Sequence, residues 1–340
     1  MRVGVVGVGA VGGFVAAELA SSGVDVVALH RAGRPMGVVA AAQIGGRRRD
    51  VGEHLEATDD PARLSEVDVC LLTVKSNDTA ALATMLAAHL GPDTPVVSLQ
   101  NGLHNVGWLA TTLPHRATAG VVGYNVFVGL DGVRHQATAG KLYVGALPGV
   151  AGARLRVLRA CFRRAGATME LRDDIADVAA GKLLLNLNNG ICAATGLSIA
   201  ASLRDADARW CFSRCIQEGR SVMKAAGLTP ARASVLPAWA VALVMRLPDA
   251  MVLRVARTLI AIDDRARSST LQDLERGRRT EIGELNGAIV TLASEAGTEA
   301  PANGVVTDAV RAHETAVELG QTPAWLRPTE LRARIVDAGR

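Results

Sequence analysis

Residues 181–190 read Gly-Lys-Leu-Leu-Leu-Asn-Leu-Asn-Asn-Gly, a helix-compatible run in which an amine and three amides interrupt leucines. At about 100° per residue, Asn186 lies about 40° around a helix from Lys182, and Asn189 about 20° the other way. Lys182, Asn186 and Asn189 therefore form one polar stripe on an otherwise apolar helix, while Asn188 points elsewhere. Such groups are costly to bury unless satisfied, so a stripe of this kind suits a face turned to a ligand. It equally suits the water side of an ordinary amphipathic helix. A second polar constellation, Ser268-Ser269-Thr270-Leu271-Gln272-Asp273, is followed by Arg278-Arg279-Thr280-Glu281-Ile282 and Leu285-Asn286-Gly287. Alone it reads as a charged helix-loop region, a composition that solvated faces share.

The third constellation is at the start. Residues 1–6 are almost wholly apolar after Arg2, as in a strand buried on both faces. Gly7-Val8-Gly9-Ala10-Val11-Gly12 follows, then apolar residues at helical spacing up to Ser22-Gly23, then a second apolar strand over 24–29 ending at His30-Arg31. Within strand, turn, helix and strand, the three glycines have distinct uses. Gly7 permits the tight turn, Gly9 lets backbone amides approach a pyrophosphate, and Gly12 lets the helix pack close to the strand. The helix N-terminus then faces the anion, and a dinucleotide belongs there. An NAD site usually places Asp or Glu at the end of the second strand, on the ribose 2′-hydroxyl. Here Arg31 stands at that point, with Arg34 nearby, and a planar cation suits a 2′-phosphate. The spacing points to NADP(H); the plainer alternative is a solvated surface charge at Arg31.

Several elements must position these groups. A strand over 67–74 ends in Lys75-Ser76-Asn77-Asp78, where Asn77 or Asp78 can cap a helix over 79–90. A strand over 95–99 ends in Gln100-Asn101-Gly102. Both polar clusters thus lie at the C-terminal ends of strands, where an open parallel sheet binds ligands. Short strands are expected at 38–39 and 54–55, and a brief helix over 59–64. Glycine-punctuated strands over 117–147 are expected to extend the sheet in antiparallel fashion, followed by a helix over 149–165 and a strand over 168–171. From 173 to about 319 the pattern is helical throughout. The reading is an α/β domain with a parallel sheet over 1–172, a helical substrate and catalytic domain over 173–330, and a crevice between them.

Composition narrows the function classes. The chain has 340 residues, 49% hydrophobic and 21% charged, which excludes global disorder and allows two domains. The net charge of +4 comes from dispersed arginines, with Arg47-Arg48-Arg49 as the only run, an expected exposed loop or strand edge. Aromatics make up 3%, too few for the interleaved surface that binds single-stranded nucleic acid. Five cysteines without a CxxC pair suggest neither a disulfide framework nor a zinc site, and no metal is expected. Cys211 and Cys215, one helical turn apart, suit an apolar face. The apolar N-terminus is glycine-punctuated and carries Glu18, unlike a signal peptide. The apolar stretch 236–262 is broken by Arg246, Pro248, Asp249, Arg254 and Arg257, so no membrane span is expected. A reducing, cytoplasmic setting is the expectation, with a homodimer through the apolar helices of 239–259.

Taken in order, the motifs carry a resemblance. The glycine loop with Arg31, Thr73-Val74-Lys75, Gln100-Asn101-Gly102, Gly181-Lys182 with Asn186, and Ser268-Ser269 with Leu271-Gln272-Asp273 and Thr280-Glu281-Ile282 resemble the ketopantoate reductase (2-dehydropantoate 2-reductase) family from residue 1 to about 325. The resemblance implies a Rossmann-type N-terminal domain, an all-α C-terminal domain, and NADPH reducing the ketone of a 2-keto acid. It makes Lys182 the general acid that protonates the carbonyl oxygen, a task suited to an ammonium whose pKa is brought down by desolvation. It makes Glu281 the partner of the lysine and of the cofactor end. Asn186, Ser269 and Asn189 are implied for the substrate, and Lys75, Asn101 and Val126 for the cofactor beside the loop of Gly7, Val8, Gly9, Ala10, Val11 and Gly12. The family pattern has further asparagines where this chain has Gly190, Ala200 and Ala266. Asn189 lies on the right face to replace the first. Ketopantoate is the leading substrate; the alternatives are a paralogue acting on another keto compound, and a non-catalytic NADP(H) sensor.

Overall fold

The computed structural model describes residues 1–33, 40–42, 46, 48–129, 131–232, 236–249, 251–252 and 267–340. They divide into two compact units, Met1–Gln100 with His104–Ala176, and Asn101–Leu103 with Asp177–Arg340.

The first unit begins with β1 (Arg2–Val6), α1 (Ala10–Ala20) and β2 (Asp25–Leu29), continues through β3 (Ala40–Ala42), β4 (Arg48–Asp50), β5 (Leu55–Thr58) and β6 (Val69–Leu72), and adds α2 (Thr79–His89), β7 (Val96–Ser98) and α3 (Asn105–Thr112). Then come β8 (Ala117–Val122), β9 (Val126–Val128), β10 (Arg134–Gln136), β11 (Leu142–Gly145), α4 (Gly149–Arg164) and β12 (Met169–Arg172). Among the described residues, an eight-stranded sheet runs in the order β12-β11-β8-β7-β6-β1-β2-β5. Its neighbours are parallel except for β8 and β11.

Side chains alternate between the two faces of this sheet, and both faces are covered. Val3, Val5, Val69 and Leu71 pack with Phe14 and Leu19 of α1 and Leu155, Leu158 and Phe162 of α4. Val6, Cys70, Leu72 and Val96 pack with Ala83 and Leu86 of α2 and Leu109 of α3. Double burial is why these strands read as continuous apolar runs.

Two expectations need correction. The strands of 117–147 do not all extend the main sheet. β11 does, but β9 and β10 form a hairpin that joins β3 and β4 in a second sheet, ordered β4-β3-β10-β9. The outer edge of β11 is already taken by β12, which leaves the hairpin no place there. Arg134 of β10 also reaches the glycine loop, donating to the Val8 carbonyl. Second, the Asp78 side chain does not cap α2; it faces Arg31 instead. The Asn77 side chain, the strand expected at 38–39, Arg34 and Ala266 lie outside what is described. Of the Arg47–Arg49 run, Arg48 and Arg49 do supply an edge, since β4 is the outer strand of the small sheet, while Arg47 lies outside what is described.

The second unit is helical, and no strand follows Arg172 among the described residues. It contains α5 (Ile175–Thr195), α6 (Ile199–Arg204), α7 (Ala206–Ala225), α8 (Ala238–Val244), α9 (Ser269–Glu275), α10 (Asn286–Glu295), α11 (Pro301–Glu318) and α12 (Pro328–Ala338). Leu184, Leu187 and Ile191 of α5 are fully buried among Cys211, Cys215 and Ile216 of α7, Ile289 of α10, and Val306 and Val310 of α11. The two cysteines are free, as an apolar-face reading of their spacing requires. A buried polar knot locks these helices together. Glu218 of α7 accepts from the Ala302 and Asn303 amides at the start of α11 and from Asn303 Nδ2, while Asn286 Nδ2 donates to Asn303 Oδ1. A carboxylate at that helix end is favoured by the dipole and by charge-assisted hydrogen bonds. On α8, Trp239 and Leu243 are exposed; residues 253–259 of the expected dimer face are outside those described.

Candidate active site

The glycine loop follows from local sterics. Gly7 has φ of +94°, and a Cβ there would stand 2.9 Å from the Val74 backbone nitrogen. A Cβ on Gly12 would stand 2.0 Å from the Gly7 carbonyl oxygen and 2.2 Å from Thr73 Oγ1. Thr73 Oγ1 in turn donates to the carbonyls of Val6 and Gly7, pinning the turn from β6. Above Gly9, the N-cap of α1, no atom lies within 4 Å of where a Cβ would be. The first turn of α1 carries no acidic residue, so no carboxylate of the helix itself opposes an anion at its unpaired N–H groups. A dinucleotide pyrophosphate fits this cradle. Val8 and Val11 are half-buried against the core while Ala10 starts the helix, so the loop's side chains point away from that approach.

Three other expected cofactor residues lie in the first unit. Arg31 stands two residues past the end of β2 and is exposed. Lys75 is half-buried just beyond β6, and Val126 opens β9 and packs on the core face that carries α1. Arg134 escaped notice in the sequence. Its guanidinium is buried against the loop, and a Cβ on Gly13 would touch its Nε at 2.5 Å. Burial draws its pKa down. Nothing in the short, glycine-broken strands around residue 134 marks it in advance.

The second unit gathers the other set. Lys182, Asn186 and Asn189 lie half-buried along α5, while Asn188 is buried on another side and donates to Ser202 Oγ at 3.2 Å. Asn186 Nδ2 donates to Asn101 Oδ1 and Asn101 Nδ2 to Glu281 Oε2, each at 3.4 Å. Glu281 is held by its neighbour Thr280, whose backbone N–H and Oγ1 both donate to Glu314 Oε1 at 2.6 and 2.7 Å. Gly102, with φ of +93°, turns the chain so closely that a Cβ would lie 2.5 Å from Glu284 Oε2. Glu284, missed in the sequence, is therefore a second acidic neighbour of this cluster; its spacing of three from Glu281 was the available signal.

Desolvation lowers the Lys182 pKa to about 8, against the opposing pull of the Glu281 charge. An amine so poised can give up a proton near neutral pH, which an ordinary surface lysine cannot. Ser268 caps α9, accepting from the Leu271 N–H at 3.2 Å, and donates to the Asn189 carbonyl at 3.4 Å. Ser269, the expected substrate residue, is exposed in the first turn of α9.

At Gly190, where the resemblance leads one to expect an asparagine, the structure leaves no room for a side chain. A Cβ there would fall 2.2 Å from Asn286 Oδ1 and 2.8 Å from Val306 Cγ1, so the Asn286 amide occupies the space where a side chain would begin. Ala200 is buried within α6 and offers no polar atom.

Residues 3–149 match the family model described as Ketopantoate reductase PanE/ApbA, and residues 174–314 match the model of that family's C-terminal part. The chain is 29% identical over 317 residues to a 2-dehydropantoate 2-reductase of Archaeoglobus fulgidus, covering 92% of this chain and 98% of that one. The crystal structure of a PanE/ApbA family ketopantoate reductase from Ralstonia eutropha JMP134 superposes with a TM-score of 0.77 at 30% identity, covering 94% of this chain and 100% of that one. D-mandelate dehydrogenase, in a ternary structure with NADH and anilino(oxo)acetate, shares the fold at 18% identity, with a TM-score of 0.76 and coverage of 94% and 100%. The class is thereby defined: an oxidoreductase that acts on CH–OH groups. Within that class, the chain belongs to the ketopantoate reductase family.

Proposed function

We propose that this protein reduces the ketone of a 2-keto acid with NADPH, and that 2-dehydropantoate, giving pantoate, is its substrate. The observation that carries the proposal is Lys182, an amine drawn down to about 8 on a helix face shared with Asn186 and set beside the Asn101–Glu281 pair. NADPH bound at the glycine loop supplies the hydride. Lys182, as an ammonium, donates its proton to the ketone oxygen as that oxygen takes up negative charge, and its positive charge stabilises the developing alkoxide. Asn186, Asn189 and Ser269 orient the acid. Asn101 hydrogen-bonds both Asn186 and Glu281, keeping amide and carboxylate in register. Glu281 favours the charged lysine, opposing the desolvation that would discharge it. Arg31 takes the 2′-phosphate, with Lys75 and Val126 lining the same nucleotide. The five buried free cysteines fit a cytoplasmic enzyme.

The pH dependence tests the assignment. Reduction needs the protonated lysine, so the proton donor is fully present below a pKa of about 8 and is lost as pH rises through it. For the forward reaction kcat/KM is expected to be level from about pH 6 to 7.5 and then to fall about tenfold per pH unit above the pKa. A profile still level at about pH 9.5 would remove Lys182 as the acid.

A different 2-keto acid is the second reading, and a specific observation favours it. Asn189 stands in for the amide that Gly190 lacks, but Ala200 and Ala266 carry none and have no substitute, so two hydrogen-bonding groups that the resemblance implies are missing. D-mandelate dehydrogenase, sharing this fold, is named for another 2-hydroxy acid. The hydride chemistry at Lys182 is the same in both readings.

A further inference from the structure

No carboxylate stands at the end of β2, yet one reaches that place from elsewhere in the first unit. Asp78 Oδ2 lies 3.3 Å from Arg31 Nη2. Asp78 occupies the N-cap of α2, where a carboxylate ordinarily accepts from the first-turn amides. It makes no such bond, and its side chain is turned to the arginine. Both partners are accessible, with side-chain exposures of 70% for Arg31 and 47% for Asp78. An exposed pair of this kind contributes little to stability, so it exchanges readily for another partner.

We propose that Asp78 is the residue that sets how strongly this protein prefers NADPH over NADH. The proposal rests on the reading that Arg31 takes the 2′-phosphate. A 2′-phosphate must displace the carboxylate from Arg31 and then remain beside it, so like-charge repulsion takes back part of what the guanidinium gives. A 2′-hydroxyl meets the opposite situation. It can donate to Asp78, which then does from the β6 connection what a carboxylate at the end of the second strand does in NAD sites. Arg31 and Asp78 together therefore make a balanced pair, one favouring each nucleotide.

The substitution Asp78→Asn keeps the shape and removes the charge. Dissociation constants for NADPH and for NADH, read from cofactor fluorescence without any keto acid, give the ratio directly. Removing one like charge about 4 Å away in a water-like medium is expected to shift that ratio toward NADPH about fivefold at low salt. The shift shrinks as ionic strength rises and the charges are screened. Arg31→Ala, measured alongside, is expected to shift the ratio toward NADH. A ratio that falls with Arg31→Ala but stays within about twofold in Asp78→Asn overturns the proposal while leaving Arg31 at the phosphate. A ratio unmoved by either substitution overturns both. A shift toward NADH in Asp78→Asn also overturns it, since Asp78 would then be steering Arg31 onto the phosphate.

Discussion

Lys182→Ala is expected to lower kcat for NADPH-dependent keto-acid reduction by about 10²- to 10⁴-fold, the range a positioned general acid supplies. In free energy this is about 3–5 kcal/mol of transition-state stabilisation. In the proposed reaction the group lost would provide two things, a proton from an amine with a pKa of about 8 and a positive charge near the developing alkoxide. Lys182→Arg separates them. A guanidinium keeps the charge but holds its proton too tightly to donate at neutral pH, so only the electrostatic part of the rate should return. NADPH affinity should be unchanged in both variants, because the residues read as holding the nucleotide loop are Gly7, Gly12 and Thr73. Single-turnover NADPH oxidation measures the chemical step. A kcat in Lys182→Ala within about tenfold of the parent enzyme would show that another group gives the proton.

Gly12→Ala should abolish useful cofactor binding, raising the NADPH Kd by about 100-fold, or about 2.7 kcal/mol. The new methyl carbon would begin 2.0 Å from the Gly7 carbonyl oxygen and 2.2 Å from Thr73 Oγ1. The first of these is backbone, and the second is held by its hydrogen bonds to the Val6 and Gly7 carbonyls. Neither can step aside without moving the loop, and in the proposed reading the loop presents the α1 amides to the pyrophosphate. Overpacking also costs the fold about 1–3 kcal/mol, a loss that thermal unfolding would register separately from binding. Gly9→Ala is the informative contrast, since its methyl would enter open space and meet only the ligand. A Gly12→Ala protein that binds NADPH within about threefold of the parent would mean that the cradle is not the nucleotide's seat.

The parts of this molecule that were legible in the sequence are those fixed by short-range rules. The glycines at 7, 9 and 12 announce β1, the loop and α1, because sterics leave few other residues possible at 7 and 12, while 9 stays open for a ligand. The stripe of Lys182, Asn186 and Asn189 is legible because helical spacing is local, and so is the separate direction of Asn188. Strand partners at long range are another matter. The hairpin of β9 and β10 reads as sheet, but whether it joins the main sheet depends on β12 having already covered β11, which no local pattern encodes. The links of Asn101 to Asn186 and to Glu281 span 85 and 180 positions, and only the family resemblance suggested that these residues belong together. Asp78 was read for its most common local use, helix capping, when a charge 47 residues away had a stronger claim on it. Gly190 reads as a missing amide until Asn286 is seen filling its place.

The most direct test of the central reading is NADPH oxidation followed by absorbance, with 2-dehydropantoate offered beside a panel of other 2-keto acids. Turnover of 2-dehydropantoate with NADPH, in preference to the rest of the panel, is the expected result. Turnover of only another member would keep Lys182 and Glu281 in their roles and move the substrate to the second reading. NADPH that binds but is not consumed with any 2-keto acid would contradict the proposed reduction outright.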